Sequence, residues 1–229
     1  MRPHAVHAVI AVKSLDLAKS RLAERLRPEH RARLVLAMLA DTVSAATAVP
    51  QVRSVTVVTP DPAVAELADE LGAHVHPEPR ITDSDSDGLN TALSDAAAAL
   101  RRRHGAIELL ALQADLPALR TEELADMLTV APVGRRAVVV DHAGTGTAAL
   151  VVRDGVAPLD PRFGADSARR HIAAGAADLT GHWPGLRLDV DTAADLDLAI
   201  ELGAGAATRA VLHDIGWSCR VHEPVRRVC

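Results

Sequence analysis

Lysine occurs at only two positions, Lys13 and Lys19, against twenty-three arginines. Both follow an apolar run, in His7-Ala-Val-Ile-Ala-Val-Lys13-Ser-Leu-Asp-Leu-Ala-Lys19-Ser-Arg21-Leu22. A compact ammonium with rotatable donors suits a crowded phosphate cluster, whereas the planar guanidinium wants a forked partner. Lysine kept here, in a chain that otherwise uses arginine, points to phosphate chemistry; the competing reading is two lysines sharing a solvated loop by chance. Three carboxylates are the matching acidic set. Asp115 closes an apolar run in Gln113-Ala-Asp-Leu-Pro117, and Asp189-Val-Asp191 closes another. Alternation along an extended segment puts Asp189 and Asp191 on one side, close enough to share a cation such as Mg²⁺. On local grounds alone, Asp191 serves equally as a helix cap and Asp115 as the start of a turn.

Two glycine-bearing loops add candidate anion contacts. Gly144-Thr-Gly-Thr147 offers amides and hydroxyls, but it precedes a strand and lacks a following Gly-Lys-Ser/Thr, so it is not a nucleotide P-loop. An anion site and a plain glycine turn both remain open for it. In Pro161-Arg-Phe-Gly164-Ala-Asp166-Ser167 the sole Phe stands beside a Gly, ahead of a helix start capped by Asp166 or Ser167. Amides and a hydroxyl converging on a phosphate or carboxylate compete there with an ordinary cap. Asp83-Ser-Asp-Ser-Asp87-Gly88 matches the opening of a calcium loop, but Ser94 stands where a bidentate Glu is needed, so it reads as a solvated acidic loop. His213, Cys219, His222 and Cys229 lack the paired spacing of a zinc site.

These residues need a scaffold of alternating strands and helices. Residues 7–12 read as a buried strand, and 29–46 as a helix with Leu34, Met38, Leu39, Thr42 and Val43 on one face. A strand at 54–59 leads to Asp61-Pro62, which caps and opens a helix through 71. A short strand at 74–76, a helix at 89–103, a strand at 107–112 and a helix from Thr121 follow. The second half reads as strands at 137–140, 147–152 and 186–190, then a helix at 192–202 with Asp191 or Thr192 capping and Asp195 in the first turn. The pattern predicts an α/β fold: a mainly parallel, doubly wound sheet with an antiparallel edge. In such sheets ligands bind beyond the carboxyl ends of the strands, where Lys13, Asp115 and Asp189 all fall.

The 229 residues fit one domain over 1–210, followed by an extension over 211–229 that reads as loosely ordered. A net charge of −5, with one Phe, two Trp and no Tyr, argues against a nucleic-acid partner. No run is long and apolar enough for a membrane span, and residues 6–12 are too short for a secretory signal, so a cytoplasmic protein is expected.

Ala11-Val-Lys13 with Lys19-Ser-Arg21-Leu22, the Asp115-Leu-Pro117 strand end, Gly144-Thr-Gly-Thr147, Arg162-Phe-Gly-Ala-Asp-Ser167 and Leu188-Asp-Val-Asp191-Thr192 occur in that order. The ordered set resembles the phosphoenolpyruvate or 2-phospho-L-lactate guanylyltransferases of coenzyme F-420 biosynthesis, over residues 7–210. The arginine-rich composition resembles the actinobacterial branch. The resemblance implies a nucleotide-diphospho-sugar transferase-like fold, Mg²⁺ as cofactor, and GTP and phosphoenolpyruvate as substrates. The implied reaction yields enolpyruvyl-diphospho-5'-guanosine and pyrophosphate. It further implies that Asp115, Asp189 and Asp191 hold the metal, that Lys13, Lys19 and Arg21 act on the triphosphate, and that Thr147, Gly164 and Ser167 contact phosphoenolpyruvate. Thr59, Asp61, Gly88 and Asn90 are candidates for the nucleotide. The product would pass to a downstream transferase, and the chain would be a monomer or homodimer.

One departure from the wider superfamily is that residues 13–22 hold no Gly, where sugar and molybdopterin nucleotidyltransferases carry a Gly-x-Gly-x-Arg loop. This disfavours a molybdopterin nucleotidyltransferase. The acceptor alternatives are 2-phospho-L-lactate and 3-phosphoglycerate. A non-catalytic nucleotide-binding domain is disfavoured by the three aspartates and two lysines.

Overall fold

The computed structural model describes residues 5–15, 19–79 and 88–217. The acidic loop from Asp83 to Asp87, and Cys219, His222 and Cys229, lie outside the described residues. Strand β1 (Val6–Ala11) is an almost wholly buried apolar run, as a strand covered on both faces must be. It leads by way of Lys13 and a 3₁₀ turn at Ser20–Leu22 to helix α1 (Pro28–Thr47). Pro28 opens that helix, where a missing N–H does no harm, and the buried face is the expected one of Leu34, Met38, Leu39, Thr42 and Val43. Strand β2 (Val52–Thr59), helix α2 (Pro62–Glu70), strand β3 (His74–Pro77), helix α3 (Gly88–His104), strand β4 (Glu108–Leu112) and helix α4 (Thr121–Val130) complete the first half. The second half runs through β5 (Arg136–Val140), β6 (Thr147–Val152), α5 (Ser167–Ala173), β7 (Ala177–Asp178), α6 (Pro184–Arg187), α7 (Ala193–Leu202) and α8 (Ala206–Asp214).

The seven strands form one sheet in the order β3-β2-β1-β4-β6-β5-β7. Successive residues of a strand face opposite sides, and the core divides accordingly. Ala8, Ile10, Leu110 and Leu112 join a cluster with α1, while Val9, Leu109 and Ala111 join a second cluster with α3. The sheet is doubly wound and mainly parallel, as the pattern predicted. Its antiparallel member, β6, is an interior strand between β4 and β5. The outermost strand on that side, β7, runs parallel to β5.

This topology sets the active edge. The carboxyl ends of β1, β2, β4 and β5 and the amino end of the reversed β6 all reach the same side of the sheet. Lys13, Asp61, Asp115, Asp141 and Thr147 therefore emerge together there.

Two expectations need correction. Residues 186–190 do not form a strand. Pro184 starts the short helix α6 instead, and the Glu123 carboxylate accepts the N–H groups of Gly185 (3.2 Å) and Leu186 (2.8 Å). A Cβ on Gly185 would lie 2.0 Å from the Ala118 carbonyl oxygen, so this close approach requires glycine. Beyond α6, Leu188 and Val190 are buried while Asp189 and Asp191 are not, so the period of two holds without a paired strand.

The boundary near residue 210 falls inside α8. The Asp41 carboxylate on α1 accepts the N–H groups of Ala207 (3.1 Å) and Thr208 (2.8 Å) at the start of that helix. Leu212 is buried, Trp217 Nε1 donates to Asp197 at 2.9 Å, and the Arg25 guanidinium lies 4.0 Å from the Trp217 ring centre. Truncation after residue 210 should therefore cost about 2–5 kcal/mol, the scale for losing one large buried apolar side chain with its packing. Urea unfolding measures this; an unchanged midpoint would mean that the segment after 210 is as loosely attached as its sequence suggests.

Candidate active site

Lys19 is the hub of the active edge. Its backbone sits in the left-handed region at φ 53°, a conformation costing a non-glycine residue on the order of 1–2 kcal/mol. Its Nζ donates to Asp115 Oδ2 and, at 2.9 Å, to Asp191 Oδ1. Its side chain is 11% exposed, against 17% for Asp115 and 51% for Asp191. Burial by itself would lower the ammonium pKa; the two carboxylates outweigh it and raise the pKa above the usual lysine range. Burial alone would raise Asp191, and the Lys19 charge reverses this and holds it below the usual carboxylate range. Arg21 lies 3.7 Å from the second oxygen of Asp191 and is largely exposed. Lys13 is exposed and has no ion pair among the described residues.

The Val190 N–H donates to the Asp115 carbonyl at 3.1 Å, which brings the Asp189-Val-Asp191 segment onto the β4 end. Asp189 has the opposite electrostatics to Asp191. Burial, with Asp115, Asp141 and Asp191 nearby, pushes its pKa up to about 6. His142 Nδ1 stands 3.6 Å from its Oδ1, and His142 Nε2 is 3.1 Å from Asp195. Asp195 in turn closes a capping box with Thr192 at the start of α7. Asp115 Oδ1 and Asp189 Oδ1 are buried without a hydrogen-bond partner.

Those two oxygens are hard anionic donors of the kind Mg²⁺ takes, so the donor chemistry fits the implied cation. A ready-made cage is not present: among the described residues no group of three or more His, Cys, Asp or Glu surrounds a metal-sized point. An ammonium stands between Asp115 and Asp191 instead.

The glycine-rich loop is organised from within. Asp141 accepts the N–H groups of Thr145 (3.0 Å) and Gly146 (2.8 Å), one on each carboxylate oxygen. A Cβ on Gly146 would lie 2.2 Å from Asp141 Oδ2. The loop is thus an Asp-stabilised turn, and these amides are not available to an anion. Thr147 is 1% exposed, with its hydroxyl 3.0 Å from His171 Nδ1. The Ala168 N–H donates to the Thr145 carbonyl, so this loop and the Arg162-to-Ser167 loop do come together. Of the three residues expected to meet the acceptor, Gly164 is exposed, while Thr147 and Ser167 face inward. Asp166 stands at the cap of α5 but its side chain accepts no cap hydrogen bond.

The nucleotide candidates are engaged locally. Thr59 Oγ1 accepts the Asp61 N–H at 3.1 Å. One Asp61 oxygen caps α2 through Ala63, and the other accepts the Leu15 N–H at 3.0 Å, anchoring the lysine loop to the β2 end. Asn90 is buried and holds both the N–H and the carbonyl of Phe163. Gly88 is buried at the start of α3. In this arrangement each of the three side chains is hydrogen-bonded within the protein. Sequence reasoning passed over Asp141, His142 and His171. An Asp three residues before a Gly is a turn signal that identifies the first; nothing local marks the two histidines.

The sequence model of the family described as "Guanylyl transferase CofC like" matches residues 6–228. A phosphoenolpyruvate guanylyltransferase of Nocardia farcinica is 73% identical over the full length of both chains. A protein of the same name from Rhodococcus opacus is 51% identical over 94% of this chain and 93% of its own. Among solved structures, a provisionally assigned nucleotide-diphospho-sugar transferase of Desulfovibrio desulfuricans superposes with a TM-score of 0.64 at 15% identity, covering 92% of this chain and 95% of the other. A nucleotidyl transferase from Methanothermobacter gives 0.57 at 16% identity, with 86% and 97% covered. The fold is that of the nucleotidyltransferases, and with its lysine and aspartates gathered beyond the strand ends the chain belongs to the CofC-like guanylyl transferase family.

Proposed function

We propose that this protein joins GTP to phosphoenolpyruvate, forming enolpyruvyl-diphospho-5'-guanosine and pyrophosphate as a step of coenzyme F-420 biosynthesis. The observation that carries the reading is the meeting of Lys19 with Asp115 and Asp191 beyond the strand ends. Phosphoenolpyruvate as acceptor is supported by the names of the Nocardia and Rhodococcus relatives.

A phosphate oxygen of the acceptor attacks the α-phosphorus of GTP in line. The new P–O bond forms as the α–β bridge breaks, and pyrophosphate leaves with the electron pair. The attacking phosphate is ionised at neutral pH, so the chain's work is positioning and charge neutralisation. Lys13, Lys19 and Arg21 bind triphosphate oxygens, Lys13 and Arg21 from exposed positions and Lys19 from a largely buried one. Asp115, Asp189 and Asp191 would hold Mg²⁺, which when bound would offset the charge of the transferring and leaving phosphates. The Asp141-stabilised turn and the loop through Gly164 and Ser167 form the acceptor wall. The diphospho product would pass to a transferase that takes up its enolpyruvyl-phosphate group.

Purified protein incubated with Mg²⁺, GTP and, in separate reactions, phosphoenolpyruvate, 2-phospho-L-lactate or 3-phosphoglycerate tests the reading by mass identification of the nucleotide product. The expected product carries the enolpyruvyl group. A product formed only with another acid would reassign the acceptor, and none with any acid would refute guanylyl transfer.

A further inference from the structure

Besides the Ala168–Thr145 backbone bond, the two loops assigned to the acceptor are joined through a buried imidazole. His171, in α5, is 0% exposed. Its Nε2 accepts the Arg162 N–H at 2.8 Å, and its Nδ1 lies 3.0 Å from the Thr147 hydroxyl, with the Ser167 carbonyl also bonded to the ring. A backbone amide can only donate, so Nε2 must be the bare nitrogen, and a neutral ring then carries its proton on Nδ1. Thr147 Oγ1 and the Ser167 carbonyl can only accept that proton, which leaves the Thr147 hydroxyl its own proton to donate elsewhere. Burial lowers this imidazole to about 4 despite the Ser167 carbonyl, and Arg170, Arg162 and Arg136 add to the lowering, so the ring stays neutral around pH 7.

The neighbouring chain is pinned from the other side. The Phe163 ring meets His171 edge-on at 5.3 Å, Asn90 holds both backbone groups of Phe163, and Arg170 donates to the Phe163 carbonyl at 2.8 Å. One side chain, His171, thus touches Arg162, Ser167 and Thr147, the last across the gap between the loops.

We propose that His171 is a positioning residue for the acceptor: through its buried contacts with Thr147 and Arg162 it locks the Gly144–Thr147 and Arg162–Ser167 loops together and so fixes the wall that faces the anionic three-carbon acid. This rests on the guanylyl-transfer reading above. The ring is fully buried, so it acts through the loops it holds and its effect falls on acceptor affinity while sparing the nucleotide.

Two measurements test it on the full-length protein. Long-range ¹H–¹⁵N correlation of the histidine rings, with His171 assigned by its loss in His171→Asn, should show a bare Nε2 and a protonated Nδ1. In steady-state kinetics His171→Ala should raise KM for phosphoenolpyruvate roughly tenfold or more, the scale of a lost charge-assisted hydrogen bond, with KM for GTP unchanged. His171→Asn, whose side-chain amide replaces the Nδ1 donor, should recover most of the loss. If the Ala variant does not fold, the Asn variant and Thr147→Val carry the same comparison, with Thr147→Val selective for the acceptor. An Nε2–H tautomer, equal rises in both KM values, or an unchanged acceptor KM in folded variants overturns the role of His171 while leaving guanylyl transfer intact. A wild type that makes no product with any acid overturns the reaction itself.

Discussion

Replacing Lys19 by Met should lower turnover roughly 10²–10³-fold, the usual loss when one preorganised charge on a transferring phosphoryl group is removed. It should also destabilise the protein without ligands. Lys19 and Asp115 are both mostly buried, and removing one member of a fully buried pair costs about 3–5 kcal/mol. Asp191 is half exposed and solvent screens it, so about 1–3 kcal/mol is expected here. The pH dependence follows from Asp191, whose folded pKa is depressed below 3.8 by the lysine. Stability from a depressed carboxylate is present above its unfolded pKa and lost as pH falls through the folded one. The gap between wild type and variant should therefore be full at pH 7 and close in acid, below about pH 4. Mg²⁺ supplies a readout apart from activity. In Lys19→Met the cation meets carboxylates with no resident ammonium, so added MgCl₂ should raise the variant's Tm more than the wild type's at matched ionic strength. Equal shifts would show that lysine and cation do not share these oxygens.

Asp189→Asn should separate stability from function in the opposite sense. Asp189 is pushed up to about 6 by burial and by the carboxylates around it, so its folded pKa lies above the unfolded value. The folded state then holds the proton more tightly, and stability falls as pH rises from about 4 through about 6. Above that window the ionised group carries a penalty of about 3 kcal/mol by proton linkage. The amide removes the charge but leaves a buried polar group at a position where Oδ1 has no partner. A net stabilisation of about 1–3 kcal/mol at pH 7, roughly 2–10 °C in Tm, is expected, together with a loss of Mg²⁺-dependent turnover of roughly 10²-fold or more. Calorimetry at pH 5 and pH 7.5 checks the sign, since the gain should be larger at the higher pH. A variant destabilised at both pH values would mean that Asp189 is a structural anchor rather than a charge held for a cation.

Much of this was legible in residue patterns. Asp61-Pro62 and Thr192 with Asp195 opened helices where expected, because a cap is a local exchange between a side chain and the first free amides. Strand ends were legible because an apolar run stops where covering helices stop, which placed Lys13 and Asp115 at the same edge of the sheet. Residues 186–190 misled because alternation marks which side chains are buried, not which backbone groups are paired; Glu123, more than sixty residues away, takes the amides of Gly185 and Leu186. The GTGT turn and Asn90 show the same limit of local patterns. Groups that look free to bind a ligand were already bound within the protein, to Asp141 and Phe163.

The alternation of strands and helices through the first half and the two-sided burial of β1 and β4 were determined by the sequence alone, since each rests on periodicity or on the chemistry of a short motif. Tertiary structure alone decided that β6 runs reversed inside the sheet, that Lys19 reaches Asp115 and Asp191, and that His142 and His171 enter the site. These pairings span 24 to 172 positions of chain. No local preference encodes them, because they arise only when burial of two separate cores brings distant strand ends to one edge.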